Sequence, residues 1–151
     1  MKVLDSGCGL GGSARYLALE HGCEVTGVDL TQEYVEAATA LAGRVGLADQ
    51  VTFRQGSALD LPFADNNFDA VWTEHVQMNI EDKHAFYRES LRVLKPGGVL
   101  MFHDIFRGDA GDPHYPVPWA EESDQLLVHR RQRPPDTRRA RRQDSGLGGH
   151  E

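Results

Sequence analysis

Over its first hundred residues the chain switches repeatedly between two hydrophobic rhythms. Lys2-Val3-Leu4-Asp5 is a short apolar run closed by a glycine cluster and predicts a buried strand. From Gly12 to Gly22, Ala14, Leu17, Ala18 and His21 recur at spacings of three and four, the stripe of a helix face. Glu24 to Asp29 predicts a second strand. Thr31 stands where a helix cap belongs. Behind it, Tyr34, Val35, Ala38, Leu41, Ala42 and Val45 form a second helical stripe that Gly46 should end. Val51 to Arg54 predicts a third strand, residues 61–67 carry turn chemistry, and Phe68 to Thr73 predicts a fourth strand. Asp82 is expected to cap a helix running to Leu94, Pro96-Gly97-Gly98 to turn, and Val99 to His103 to form a fifth strand. No unit repeats.

Strands that alternate with helices build a parallel sheet with helices on both faces. With right-handed crossovers and the first strand near the middle, the expected fold is α/β: a Rossmann-like, doubly wound parallel sheet of order 3-2-1-4-5. In such sheets ligands bind at the carboxyl ends of the strands. That rule gathers the turn from Gly7 to Gly12, Asp29, Ser57 and residues 73–75 along one rim.

Charge divides the chain unevenly. Residues 1–129 hold 9 Lys+Arg against 20 Asp+Glu, whereas residues 130–151 hold 7 Arg against 3 acids. We read 1–129 as one acidic domain and 130–151 as an Arg-rich disordered tail. The tail has no apolar pattern and resembles an out-of-frame reading; a nucleic-acid-binding arm is the alternative. An acidic body argues against nucleic-acid binding, which needs clustered positive charge. No apolar run is long enough to span a membrane, so the expectation is a soluble, cytoplasmic chain. The two cysteines, Cys8 and Cys23, have neither disulfide-framework nor metal-ligand spacing and read as small fillers.

The rim carries the chemistry. Gly7 and Gly9 permit a sharp turn and a close backbone approach to a ligand, and Gly11 and Gly12 bring the helix start near the strand. Asp29 ends the second strand, where a carboxylate can accept both hydroxyls of a ribose. Gly7, Gly9 and Gly12 also satisfy G-x-G-x-x-G literally, so an NAD-dependent oxidoreductase is a competing reading. A turn that merely needs glycine is another. Asp5 stands two residues before Gly7, where a dehydrogenase usually carries an apolar residue; here it can orient the loop or hold a charged amino group.

VLDSGCGLGG, VTGVDL, GSALDLPFADNNFDAVW and RVLKPGGVL, in this order across residues 2–105, together resemble the class I S-adenosylmethionine-dependent methyltransferases. WTEHVQMNI, FHDIF and PHYPVPWA resemble the sarcosine and dimethylglycine N-methyltransferase branch, with sugar and phenol methyltransferases as relatives of similar pockets. The resemblance implies that Asp5, Gly7, Cys8, Gly9 and Thr73 lie against the methionyl part of S-adenosylmethionine. It implies that Asp29 binds the ribose, Leu30 packs on the adenine, and Ser57, Ala58 and Leu59 meet the adenine edge. Many relatives carry an acid where this chain has Ser57.

Methyl transfer from a sulfonium needs positioning and desolvation more than covalent help, but an amine acceptor must arrive unprotonated. His75, His103 and His114 are the candidate bases, His75 foremost; each can equally be a packing or surface histidine. Gln77, Asn79, His103 and Tyr115 are candidate acceptor contacts, although Gln77 and Asn79 can instead open the next helix. Met78 and Trp72 read as core, and Trp119 and Tyr115 as an aromatic wall or a packed loop. Family members have helices before the first strand, and a helix and two further strands after the fifth. The expectation is therefore a core truncated at both ends, weak or inactive alone, with an apolar edge at Val99-Leu100-Met101-Phe102 open to self-association. A non-catalytic fragment that still binds the cofactor remains a further alternative.

Overall fold

A computed structural model describes residues 1–106 of the chain. Its elements are β1 (Lys2–Ser6), α1 (Gly12–His21), β2 (Glu24–Asp29), α2 (Gln32–Arg44), β3 (Val51–Gln55), β4 (Phe68–Glu74), α3 (Lys83–Arg92) and β5 (Leu94–His103), with a 3-10 turn at Gln77–Asn79. The five strands form one parallel sheet in the order β3-β2-β1-β4-β5, as expected from the alternation of periods. Tyr115, His114, Trp119 and the 130–151 tail lie outside the described residues, as does the boundary drawn at residue 129.

Period-two alternation distributes the core. Val3 and Val25 point to one face, where they meet Ala14, Ala18 and Cys23. Leu4 and Val28 point to the other and pack with Leu61, Phe68, Val71 and Val93. At the central strands β1, β2 and β4 both faces are largely covered, which is why these strands read as apolar runs rather than as alternating ones. Trp72 is half-buried and packs against the first of these clusters. On β5, Val99 and Phe102 are exposed.

The helix ends follow local chemistry, with corrections. Asp82 caps α3, accepting from the Ala85 N–H at 2.8 Å. Gly46 takes a left-handed backbone just past α2, as its stop signal required. Thr31 occupies the cap position of α2, but its side chain makes no capping bond; Asp29 Oδ1 instead accepts from the Thr31 N–H at 3.0 Å. Only Val35, Ala38 and Ala42 of the expected α2 stripe are buried, while Tyr34, Leu41 and Val45 are exposed. On α1, Ala14 and Ala18 are buried and His21 is exposed. α3 stops at Arg92 rather than Leu94. Pro96-Gly97-Gly98 is not a turn ahead of a strand but a bulge within β5: Phe68 and Ala70 of β4 pair with Leu94 and Val99, so two steps on one strand face five on the other.

The 56–67 segment after β3 is tied down from α3. Arg92 Nη1 donates to the Phe63 carbonyl at 2.7 Å, and Arg92 Nη2 donates to the Leu61 carbonyl at 2.9 Å. Glu89, buried beside it, accepts from Arg92 at 2.8 Å and from the Leu61 N–H at 2.9 Å. This ion pair holds the Glu89 carboxyl below its ordinary range. The LPF segment is thus anchored by a charged clamp while its own Leu61 enters the core.

Candidate cofactor and acceptor cleft

The glycine turn is built before any ligand arrives. The Gly7 and Cys8 N–H groups both donate to the Val28 carbonyl, at 2.8 and 3.0 Å. Asp29 Oδ2 accepts from the Gly9 N–H at 2.8 Å. Gly7 has φ +81°, and a Cβ there would stand 2.3 Å from Val76 Cγ2. Gly11 has φ +73°, and a Cβ there would stand 2.3 Å from Phe53 Cζ. Both positions therefore require glycine. Gly12 does not: a Cβ there meets nothing within 4 Å. The required pattern is Gly7 and Gly11, not the Gly12 of the literal G-x-G-x-x-G match. Cys8 packs against Gly27, whose Cβ would lie 2.9 Å from the sulfur. Burial, then the charge of Asp5, pushes its thiol up to about 12, which fits a filler rather than a nucleophile.

A cleft of about 780 Å³ opens at the carboxyl ends of the strands. Of the residues singled out from the sequence, Gly7, Asp29, Leu30, Ser57, Ala58, Leu59, His75 and Asn79 line it. Leu30 and Tyr34 hold exposed apolar surface at its mouth. Gln55 Nε2 donates to the Leu30 carbonyl at 3.1 Å and so fixes the backbone that carries Leu30. The Ser57 hydroxyl accepts from the Leu59 N–H at 3.1 Å, which leaves its second lone pair and its proton for a ligand. The ionisable lining consists of Asp29, Glu74, His75, Glu81 and Asp82, with no lysine or arginine.

Beneath the glycine turn lies a buried polar group. Asp5 Oδ2, Ser6 Oγ, Thr73 Oγ1 and the Gln77 side-chain amide have no hydrogen-bond partner in the protein. Buried polar atoms are nearly always paired, through water or a ligand where not within the protein. Burial first, and the charge of Glu74 second, raises the Asp5 carboxyl to about 7. A cationic ligand end is the guest that would return it to the ionised form. The four buried residues stand behind the wall rather than on it, as do Cys8 and Gly9; Gln77 and Met78 are likewise buried.

Just past β4, His75 is exposed and has φ +55°, a left-handed backbone unusual outside glycine. Its ring lies edge-on to His103, with centroids 4.9 Å apart. Two residues that the sequence reading passed over organise this corner. Asp104 Oδ2 accepts from the Val76 and Gln77 N–H groups at 3.1 and 2.8 Å, pinning the segment after β4 to the end of β5. Lys83 Nζ donates to the Gln77 and Ile80 carbonyls, and burial lowers its pKa. An acid placed directly after a rim strand was the available signal for Asp104. Glu74 falls on the rim within residues 73–75, but the sequence assigns it no task.

Residues 4–102 match the methyltransferase domain family. The chain is 44% identical over 99 residues to a probable chloroplastic tocopherol O-methyltransferase of Oryza sativa subsp. japonica, a match covering 66% of this chain and 27% of that protein. Among solved structures, a putative sarcosine dimethylglycine methyltransferase from Galdieria sulphuraria superposes with a TM-score of 0.70 at 33% identity, covering 74% of this chain and 41% of that one. A geranyl diphosphate methyltransferase solved in complex with SAM superposes with a TM-score of 0.64 at 32% identity, covering 67% and 40%. The chain thus spans about a quarter to two fifths of these proteins. No helix of the described residues is long and apolar enough to cross a membrane. The family match across all five strands, the structural likeness and the strand order lead to one conclusion: the chain belongs to the class I S-adenosylmethionine-dependent methyltransferases.

Proposed function

We propose that the cleft binds S-adenosylmethionine and that the chain, within its full protein, transfers the methyl group to a small amine such as sarcosine or dimethylglycine. The observation that carries the cofactor reading is the sign of the cleft. Four carboxylates line it, with His75 and with no lysine or arginine. Such a lining attracts a sulfonium with its ammonium and repels the diphosphate of NAD.

Each residue then has a physical task. Asp29, held by the Gly9 and Thr31 N–H groups, presents its remaining lone pairs to the ribose hydroxyls. Leu30 offers apolar surface to the adenine, and residues 57–59 offer polar backbone and a hydroxyl to its edge. Gly7, Cys8 and Gly9 allow close backbone approach, and Asp5 and Thr73, buried behind the cleft wall, back the turn that the ammonium would meet. When bound, the cofactor would supply an activated methyl group for the acceptor nitrogen. His75 takes the proton from the incoming ammonium so that the nitrogen lone pair is free. Asn79 and His103 flank the acceptor, and the Asn79 side-chain amide offers N–H groups to its carboxylate.

The relatives named above act, by their names, on tocopherol, on sarcosine or dimethylglycine, and on geranyl diphosphate, so acceptor class varies within the family. Labelled S-adenosylmethionine with a panel of amines, sugars and phenols decides the assignment, using the chain joined to the flanking segments of a full-length relative. Turnover on dimethylglycine or sarcosine is expected. Turnover confined to phenols or sugars would overturn the amine assignment.

A further inference from the structure

At the acceptor end of the cleft, Glu74, His75 and His103 bring one carboxylate oxygen and two imidazole nitrogens within 4.8 Å of one another. His103 Nδ1 stands 3.4 Å from Glu74 Oε1, and His75 Nε2 stands 4.0 Å from the same oxygen. Ligands of a tetrahedral ion with bonds of about 2.0–2.1 Å are about 3.3 Å apart. One pair is already at that separation, and a small ring rotation brings in the other nitrogen.

The fold builds this arrangement deliberately in two ways. Side chains of consecutive strand residues point to opposite sides. The left-handed backbone of His75, costly outside glycine, interrupts that alternation and lets residues 74 and 75 share one corner. The His75 N–H donates to the His103 carbonyl at 2.9 Å, which fixes the ends of β4 and β5 against each other. Glu74 also has an outer partner: Ser13 Oγ at the start of α1 donates to Oε2 at 3.0 Å and leaves Oε1 for a ligand. Metal-binding carboxylates are commonly oriented by such a bond.

We propose that Glu74, His75 and His103 form a binding site for a divalent transition ion of the zinc class. Two imidazoles and one carboxylate suit zinc, cobalt or nickel rather than magnesium or calcium, which prefer all-oxygen shells. Three protein ligands leave at least one coordination position open. Bound metal occupies the nitrogen lone pair of His75, so metal loading and proton abstraction by His75 exclude each other. The metal-binding claim stands whatever the acceptor is.

The test uses the tag-free, metal-stripped full chain, titrated with Co²⁺ by visible absorption and with Zn²⁺ by calorimetry. One ion per chain with tetrahedral cobalt bands is expected. H75A, H103A and E74Q should each weaken binding more than about 10-fold, since loss of even an outer partner costs that much. S13A, which removes the outer partner of Glu74, should weaken it about 10-fold, and H84A, on exposed α3 surface, should leave it unchanged. H103Q, which keeps side-chain bulk, stands in for H103A should the latter melt early. No cobalt spectrum, or unchanged affinity in folded H75A and H103 variants, would overturn the site.

Discussion

Replacing Asp5 by asparagine keeps the shape of a buried side chain and removes its capacity to ionise. Asp5 is 2% exposed, and its carboxyl is raised from 3.8 to about 7, first by burial and then by Glu74. The folded state therefore holds a proton that the unfolded chain releases above pH 4. This residue's contribution to stability is complete below the unfolded value and is lost as pH rises through about 7. At about 1.36 kcal/mol per pKa unit, the ionisation cost reaches about 4 kcal/mol by pH 8. D5N avoids that cost but leaves a buried amide N–H₂ short of partners, at about 1–3 kcal/mol. Denaturant unfolding should show D5N more stable than the parent by about 1–3 kcal/mol at pH 8 and no more stable at pH 4. The same variant should bind S-adenosylhomocysteine more weakly, since the ligand ammonium loses its carboxylate. A stability difference that stays constant between pH 4 and pH 8 would refute the reasoning, because it would mean that the carboxylate is not desolvated.

Three further substitutions probe other parts of the account. Asp29→Ala should weaken S-adenosylhomocysteine binding by about 1.5–3 kcal/mol in calorimetry, the worth of a hydrogen bond to a charged group; unchanged affinity in a folded variant would remove Asp29 from the site. Gly11→Ala should destabilise the fold by about 2–4 kcal/mol in chemical denaturation, combining a left-handed alanine with overpacking against Phe53, whereas Gly12→Ala should be nearly neutral. Arg92→Met should cost about 2–3 kcal/mol by leaving buried Glu89 unpaired, with the contact to exposed Asp65 contributing little; a loss below 0.5 kcal/mol on the same scale as surface changes would contradict the clamp.

The sheet order was legible because each strand is a compact apolar run and each crossover a recognisable helix, and because topology rules leave few alternatives. Asp29 was legible by position, at the end of β2 on the rim. Its second task, accepting from the Gly9 N–H, was not, because that contact joins residues twenty apart across the turn. The same reason hid Asp104, whose partners Val76 and Gln77 come from a different strand end. The glycine motif misdirected attention to Gly12, since spacing alone does not say which glycine faces Phe53. Pro96-Gly97-Gly98 read as a turn because its residues favour one; pairing of Leu94 with Phe68 draws the segment into β5 as a bulge instead. On α2, the stripe overstated burial because Tyr34 points to the cleft mouth rather than to the sheet.

The central claim is that the acidic cleft holds S-adenosylmethionine and not a diphosphate dinucleotide. Calorimetric titration of the chain with S-adenosylhomocysteine, run beside NAD under identical conditions, tests it most directly. The account predicts saturable binding of S-adenosylhomocysteine at one site, weakened by about 1.5–3 kcal/mol in D29A, with no heat from NAD. Binding of NAD in preference to S-adenosylhomocysteine would contradict it.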